Sequence, residues 1–134
     1  MKRVLFVCVR NSGRSQMAAA FAERLGKGRV EAESAGTMPS EDVDPVVAEA
    51  MAELGIDISR NRPKMLTQEM VDWAHLVVRM GCSIEEVCPA VFVPSEDWGL
   101  EDPAGKPIEE VRRIRDEVEA KVRELLARPP SNAR

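Results

Sequence analysis

The stretch Val4-Leu5-Phe6-Val7-Cys8-Val9-Arg10-Asn11-Ser12-Gly13-Arg14-Ser15 decides the fold. Its first five residues are uninterruptedly apolar, the pattern of a strand buried on both faces of a parallel sheet. Arg10-Asn11-Ser12-Gly13 has the chemistry of a turn. From about Arg14 to Leu25 the apolar residues Met17, Ala18, Phe21, Ala22 and Leu25 recur at steps of three and four, one face of a helix, and Gly26 supplies the stop. Strand, polar turn and helix in that order open a strand–helix–strand unit.

Working outward, Val30–Ala35 alternates like a second strand. Asp44-Pro45 reads as a cap and first helical residue, ahead of Val46, Val47, Ala50, Met51 and Leu54, with Gly55 as the end. Thr67 is placed to cap a short third helix holding Met70, Val71 and Trp73. His75–Met80 predicts a third strand and Ala90–Val93 a fourth. Pro94–Pro107 reads as a polar loop too long for a mere connector. Ile108, Val111, Ile114, Val118, Val122 and Leu125 predict a final helix over about 108–126. Residues 1–128 are expected to form one domain, and 129–134 a frayed tail. Strands alternating with helices predict an α/β sandwich on a parallel sheet.

Composition narrows the function. The chain has 134 residues, 44% hydrophobic and 31% charged, as an ordinary globular domain does. No apolar run is longer than the six residues of Val4–Val9, far short of the roughly 20 residues that span a membrane. No signal-peptide pattern follows Met1-Lys2-Arg3, which points to the cytoplasm. A net charge of −4, no Tyr, three Phe and two Trp argue against nucleic acid as a partner. Three cysteines are an odd number and poor material for a disulfide framework. Reactive thiols, a metal or buried small hydrophobes remain.

Cys8 stands where the first strand ends, and Arg14 and Ser15 where the first helix begins. In open parallel sheets this turn is the usual ligand site. The backbone N–H groups of Val9, Arg10, Asn11, Ser12, Gly13, Arg14 and Ser15, with the helix N-terminus, make an anion cradle. Arg14 adds a planar fork suited to a tetrahedral oxyanion, and the same positive potential favours a thiolate at Cys8. Ser15 is placed to donate to that sulfur and Asn11 to tie the loop's own backbone. Arg10 is expected at the rim. Alone, Cys8 would read as a buried core residue; the whole pattern reverses that. In the later polar loop, Asp102-Pro103 reads either as a turn initiator or as a carboxyl able to protonate a leaving oxygen. Zinc is not supported, since beyond Cys82 and Cys88 only His75 is left as a ligand, and His75 reads as a packed or capped side chain. No metal or resident cofactor is expected.

The segment Val4–Ala18 resembles the phosphate-binding loop of low-molecular-weight protein tyrosine phosphatases and of the arsenate reductases that share their fold. Ser34-Ala35-Gly36-Thr37, Gly55–Ser59, Asp97-Trp98-Gly99-Leu100 and Glu101–Lys106 extend the resemblance over nearly the whole chain. The resemblance implies a four-stranded parallel sheet flanked by helices in three α/β/α layers. It also implies Cys8 as nucleophile, Arg14 as oxyanion clamp and Asp102 as general acid. In thioredoxin-coupled arsenate reductases two further cysteines follow the third strand, and Cys82 and Cys88 fit that pattern. The implied relay forms Cys8–Cys82 and then Cys82–Cys88 disulfides, with thioredoxin as reductant.

The expected ligand is thus an arsenate or phosphate oxyanion bound by a monomer. Ala104 follows the Asp-Pro where the phosphatases usually carry Tyr, which favours the reductase; Trp98, which has the flat ring to stack on a substrate, instead matches the reductases' Asp-Trp-Gly. Phosphatase activity and a non-enzymatic oxyanion or redox sensor are the alternatives. The chain departs from potassium-binding reductases at Ala19 and at Lys64, where a positive charge replaces an acid. Potassium activation is therefore not expected.

Overall fold

The structure is a computed structural model and describes residues 2–80 and 95–128. The predicted strand at 90–93, Cys82, Cys88 and the tail at 129–134 lie outside the described residues.

Strand β1 (Lys2–Cys8) is flanked by β2 (Val30–Gly36) and β3 (Leu76–Arg79), with β4 (Ser95–Asp97) beyond β3. All pairings are parallel, and the register sets Cys8 against Gly36 and Val7 against Arg79. The all-apolar run predicted this place: Val4, Leu5, Phe6 and Val7 are fully buried between the two neighbours. The chain leaves β1 for β2 on one side and later returns to β3 on the other. Where connections depart in opposite directions a crevice opens at the carboxyl ends of the strands. Cys8 ends β1 at that point.

Helix α1 (Arg14–Leu25) has the predicted bounds, and α2 (Pro45–Ala52) starts with Asp44 Oδ1 accepting from Val46 N–H at 2.9 Å. Helix α3 (Gln68–Trp73) is capped by Thr67, and α4 (Ile108–Ala127) packs on α1 and α2. The α4 stripe Val111, Ile114, Val118, Val122 and Leu125 is buried; each such side chain contributes about 1.5–3 kcal/mol on leaving water. Arg115 crosses from α4 to donate to Ala50 O at 2.9 Å and pairs with Glu53 at 2.8 Å.

The stretch 94–107, expected from the sequence as a loop, is not loop throughout, because Ser95–Asp97 forms β4. These three residues have no apolar run and little strand propensity, so nothing local announces them. Pairing with β3 makes them a strand at the sheet's edge.

Candidate active site

The turn from β1 to α1 wraps around the Cys8 sulfur. Asn11 N–H donates to Sγ at 3.2 Å, and Ser15 Oγ lies 2.8 Å from it. Asn11 Nδ2 donates to Ser15 Oγ at 2.7 Å, so the Ser15 hydroxyl hydrogen is left to point at sulfur. The Asn11 amide itself is oriented by Lys64 N–H, which donates to Oδ1 at 2.9 Å. Both contacts to sulfur strengthen when it carries charge, since hydrogen bonds to an anion are the strong ones. Cys8, Asn11, Arg14, Ser15 and Gln16 are all buried.

A neighbouring segment shapes the turn. Thr37, Met38, Ser40 and Asp44 donate their N–H groups to the carbonyls of Cys8, Val9, Arg10 and Ser12 at 3.3, 2.8, 3.0 and 2.9 Å. A trans peptide points its C=O and the next N–H in opposite directions. Drawing those carbonyls outward therefore turns the N–H groups of Val9, Arg10, Asn11 and Gly13 inward. The N–H groups of the first turn of α1 add to the same concavity. Gly36 makes this contact possible, because a Cβ there would lie 2.5 Å from Val9 O and 2.9 Å from Asn11 N. Asn11 takes up a left-handed backbone at φ 52°, which Asn tolerates better than most residues.

Arg14 reaches across the mouth. Its Nη1 donates to Leu100 O at 2.9 Å, and Nη2 stands 3.9 Å from Asp102 Oδ2. Leu100 O takes one of the guanidinium's five N–H donors, and among the described residues the other four have no hydrogen-bonded acceptor. Asp102 is 58% exposed, while Pro103 is buried against Gly13, where a Cβ would meet Pro103 Cγ at 3.0 Å. The Asp-Pro dipeptide forms the turn that was one of its two readings, with Ala104 N–H donating to Asp102 Oδ1 at 3.0 Å, and the other carboxyl oxygen faces Arg14. The loop is anchored by Glu101, which pairs with Lys106 at 2.8 Å and Arg113 at 2.7 Å. Its carboxyl is held at about 2 by the hydrogen bond from Lys106 and then that from Arg113.

Cys8, Asn11, Arg14, Ser15 and Asp102 are therefore brought together, while Arg10 is exposed at the rim. Trp98 does not face the cradle. It is buried, its ring meets Phe6 edge-on at 5.7 Å, and its Nε1–H donates to Glu96 at 3.3 Å. His75 accepts from Arg3 N–H at 3.0 Å on the opposite end of the sheet. Lys64 pairs its ammonium with Glu33, and Ala19 has no side-chain oxygen, so neither side chain supplies a potassium ligand. No group of three or more metal-ligating side chains occurs among the described residues. No helix among them is long and apolar enough to cross a membrane.

Gln16, Gly36 and the Leu100 carbonyl also belong to the site, although nothing in the spacing of the motif points to them. Gln16 alone carried a local signal, since a Gln at the third helical position commonly reaches back toward the residues before the helix.

Residues 3–132 match the low molecular weight phosphotyrosine protein phosphatase family, and the chain belongs to it. Its similar relatives include the glutaredoxin arsenate reductase of Synechocystis sp., 40% identical over 96% of this chain and 98% of that protein. The arsenate reductase of Staphylococcus aureus is 36% identical over 95% and 98%. Among solved structures, an arsenate reductase in the phosphate binding state is 40% identical with a TM-score of 0.85, covering 95% of this chain and 98% of that one. The thioredoxin-dependent arsenate reductase of Corynebacterium glutamicum is 37% identical with a TM-score of 0.79, covering 93% and 60%. The YwlE arginine phosphatase of Geobacillus stearothermophilus is 32% identical with a TM-score of 0.83, covering 94% and 91%.

Proposed function

We propose that this protein reduces arsenate to arsenite at Cys8. The observation that carries the reading is the sulfur at the floor of an N–H-lined turn, contacted by Asn11 N–H and Ser15 Oγ, with the Arg14 fork and the Asp102 carboxyl at its mouth. The cradle binds the tetrahedral oxyanion, and Arg14 holds two of its oxygens. The Cys8 thiolate attacks arsenic, and Asp102 protonates the departing oxygen, which leaves as water. Cys82 then attacks the Cys8 sulfur. The S–As bond breaks with its electron pair passing to arsenic, so arsenic(V) becomes arsenic(III) and arsenite leaves. Cys88 attacks Cys82, frees Cys8, and leaves a Cys82–Cys88 disulfide for an external dithiol.

The sequence supports the reductase over the hydrolase, since Cys82 and Cys88 have no task in phosphate hydrolysis and Ala104 offers no aromatic wall. Thioredoxin is the proposed donor, in keeping with the Corynebacterium neighbour, and glutaredoxin is the alternative, in keeping with the Synechocystis relative. We place the enzyme in the cytoplasm as a monomer, where reduced thiols are maintained. Weak phosphatase activity is a second reading, supported by the family match and by the phosphate-bound neighbour.

The test is NADPH oxidation coupled through thioredoxin and thioredoxin reductase, with a parallel arm of glutaredoxin, glutathione and glutathione reductase. Wild type should turn over arsenate steadily in one arm. Cys8→Ser should abolish arsenate reduction and aryl-phosphate hydrolysis together. Cys82→Ser and Cys88→Ser should abolish turnover while sparing hydrolysis. A single stoichiometric oxidation that then stops would identify a sensor instead.

A further inference from the structure

Five peptide groups of the β1–α1 turn have their carbonyls held away from the sulfur. Four are held by backbone N–H groups of the 37–44 segment. The fifth, Asn11 O, is held by a side chain: Gln16 Nε2 donates to it at 3.1 Å and also lies 3.3 Å from Asn11 Oδ1. The peptide joining Asn11 to Ser12 is planar and trans, so fixing its carbonyl outward aims the Ser12 N–H inward. Gln16 is 3% exposed, and the far end of its amide is fixed as well, because Oε1 accepts from Asn61 Nδ2 at 3.1 Å. Asn11 O can only accept, so it is the Gln16 nitrogen that faces it, and the oxygen is left for Asn61. We propose that Gln16 is a positioning residue for oxyanion binding, turning the Asn11–Ser12 peptide so that the Ser12 N–H completes the cradle, and that Asn61 steadies the far end of the Gln16 amide. The inference rests on the reading of the cradle as an oxyanion site.

Asn61 is exposed, which gives a handle at the surface. In Asn61→Asp the carboxylate cannot donate to Oε1, so the Gln16 amide loses the bond that holds its far end. Gln16 then holds the Asn11 carbonyl less firmly, and the peptide's restraint loosens.

The experiment uses the full chain carrying Cys82→Ser and Cys88→Ser, so that Cys8 is its one thiol. Cys8 is alkylated with iodoacetamide across a pH series, with inorganic phosphate as the protecting anion and mass spectrometry as readout. Phosphate should protect the parent in a saturable manner. In Gln16→Met, of similar volume but without the amide, the protection constant should weaken about 3–10-fold, the worth of one oriented hydrogen bond. Asn61→Asp should weaken it in the same direction, and it decides the matter if Gln16→Met does not fold. Equal protection of parent and folded variants would overturn the assignment. A parent whose Cys8 reacts at one rate with or without phosphate would remove the cradle reading and this inference with it. A parent protected by phosphate, beside a wild type that turns over no arsenate, would lose the proposed reaction alone.

Discussion

Asn11 Nδ2 donates to Ser15 Oγ at 2.7 Å, and that bond fixes where the Ser15 hydroxyl hydrogen goes. A hydroxyl that accepts from an amide has its own hydrogen free, and the atom 2.8 Å away is Cys8 Sγ. Asn11 therefore acts on the sulfur twice, through its backbone N–H and through Ser15. Ser15→Ala removes one contact and should slow alkylation of Cys8 at neutral pH about tenfold. Asn11→Gly keeps the left-handed backbone but loses the amide, and Asn11→Ala loses both. The expected order of alkylation rates is wild type, Asn11→Gly, Asn11→Ala. Equal rates for the two Asn11 variants would show that the φ of 52° has no part in the effect.

Arg14 contacts Leu100 O through Nη1 and faces Asp102 through Nη2, so it joins the cradle to the loop that carries the acid. Lysine keeps the charge but has neither the planar fork nor the reach to serve both. Arg14→Lys should raise KM for arsenate and lower kcat, for a loss in kcat/KM of about 10²-fold or more. Steady-state kinetics check this, and unchanged constants would remove Arg14 from the site.

How much of this the sequence foretold depends on whether the signal was local. The run Val4–Cys8 and the periodic faces of α1 and α4 carry their own pattern, and they form where that pattern puts them. Cys8, Arg14 and Ser15 were legible because one turn holds all three. β4 was not, because Ser95–Asp97 owes its conformation to pairing with β3. The contacts that shape the cradle were equally invisible. Gly36 and Lys64 touch Asn11 from far along the chain, and no spacing rule connects them. Trp98 illustrates the reverse case: its type suggested a substrate wall, but its ring fills space against Phe6.

Asp102 stands exposed beside Arg14 while Pro103 packs on Gly13. A proton donor matters in proportion to how badly the leaving oxygen needs the proton. Asp102→Asn should lower kcat about 10²–10⁴-fold for an aryl phosphate with a poor leaving group. A good leaving group, such as a nitrophenolate, should suffer much less. Equal losses for the two substrates would count against the acid role.

Glu101 tethers the same loop, and its carboxyl, held at about 2 by Lys106 and Arg113, lies below the ordinary 4.5. A carboxyl depressed on folding contributes stability that is complete above its unfolded value and fades as pH falls toward its folded one. The tether should therefore hold above about pH 4.5 and be lost between there and about 2. The comparison is the melting temperature of wild type against Glu101→Gln along a pH series. Their difference should be largest at neutral pH and close on acidification. Added salt should shrink it too, because both ion pairs are exposed. A difference independent of pH would assign the effect to packing.

Gly36 is where the sheet and the cradle meet. It pairs with Cys8 in the register, and its N–H and C=O bond Lys64 O and Leu66 N–H, each at 2.8 Å. An added Cβ would fall 2.5 Å from Val9 O, with backbone rather than a yielding side chain as the obstacle. Either β2 or the turn must move. Gly36→Ala should cost at least about 2 kcal/mol, in the upper range of overpacking substitutions. The same displacement loosens the segment that draws the turn's carbonyls outward, so phosphate should protect Cys8 less well. Gly28 supplies the comparison, since its φ of +84° strains any side chain but a Cβ there meets nothing within 4 Å. Gly28→Ala should cost about 1 kcal/mol through the backbone alone and leave phosphate protection unchanged. Urea denaturation and anion protection measured on both variants separate the two causes. A Gly36→Ala protein as stable as wild type would mean that the turn shifts freely, and the rigid cradle would have to be abandoned.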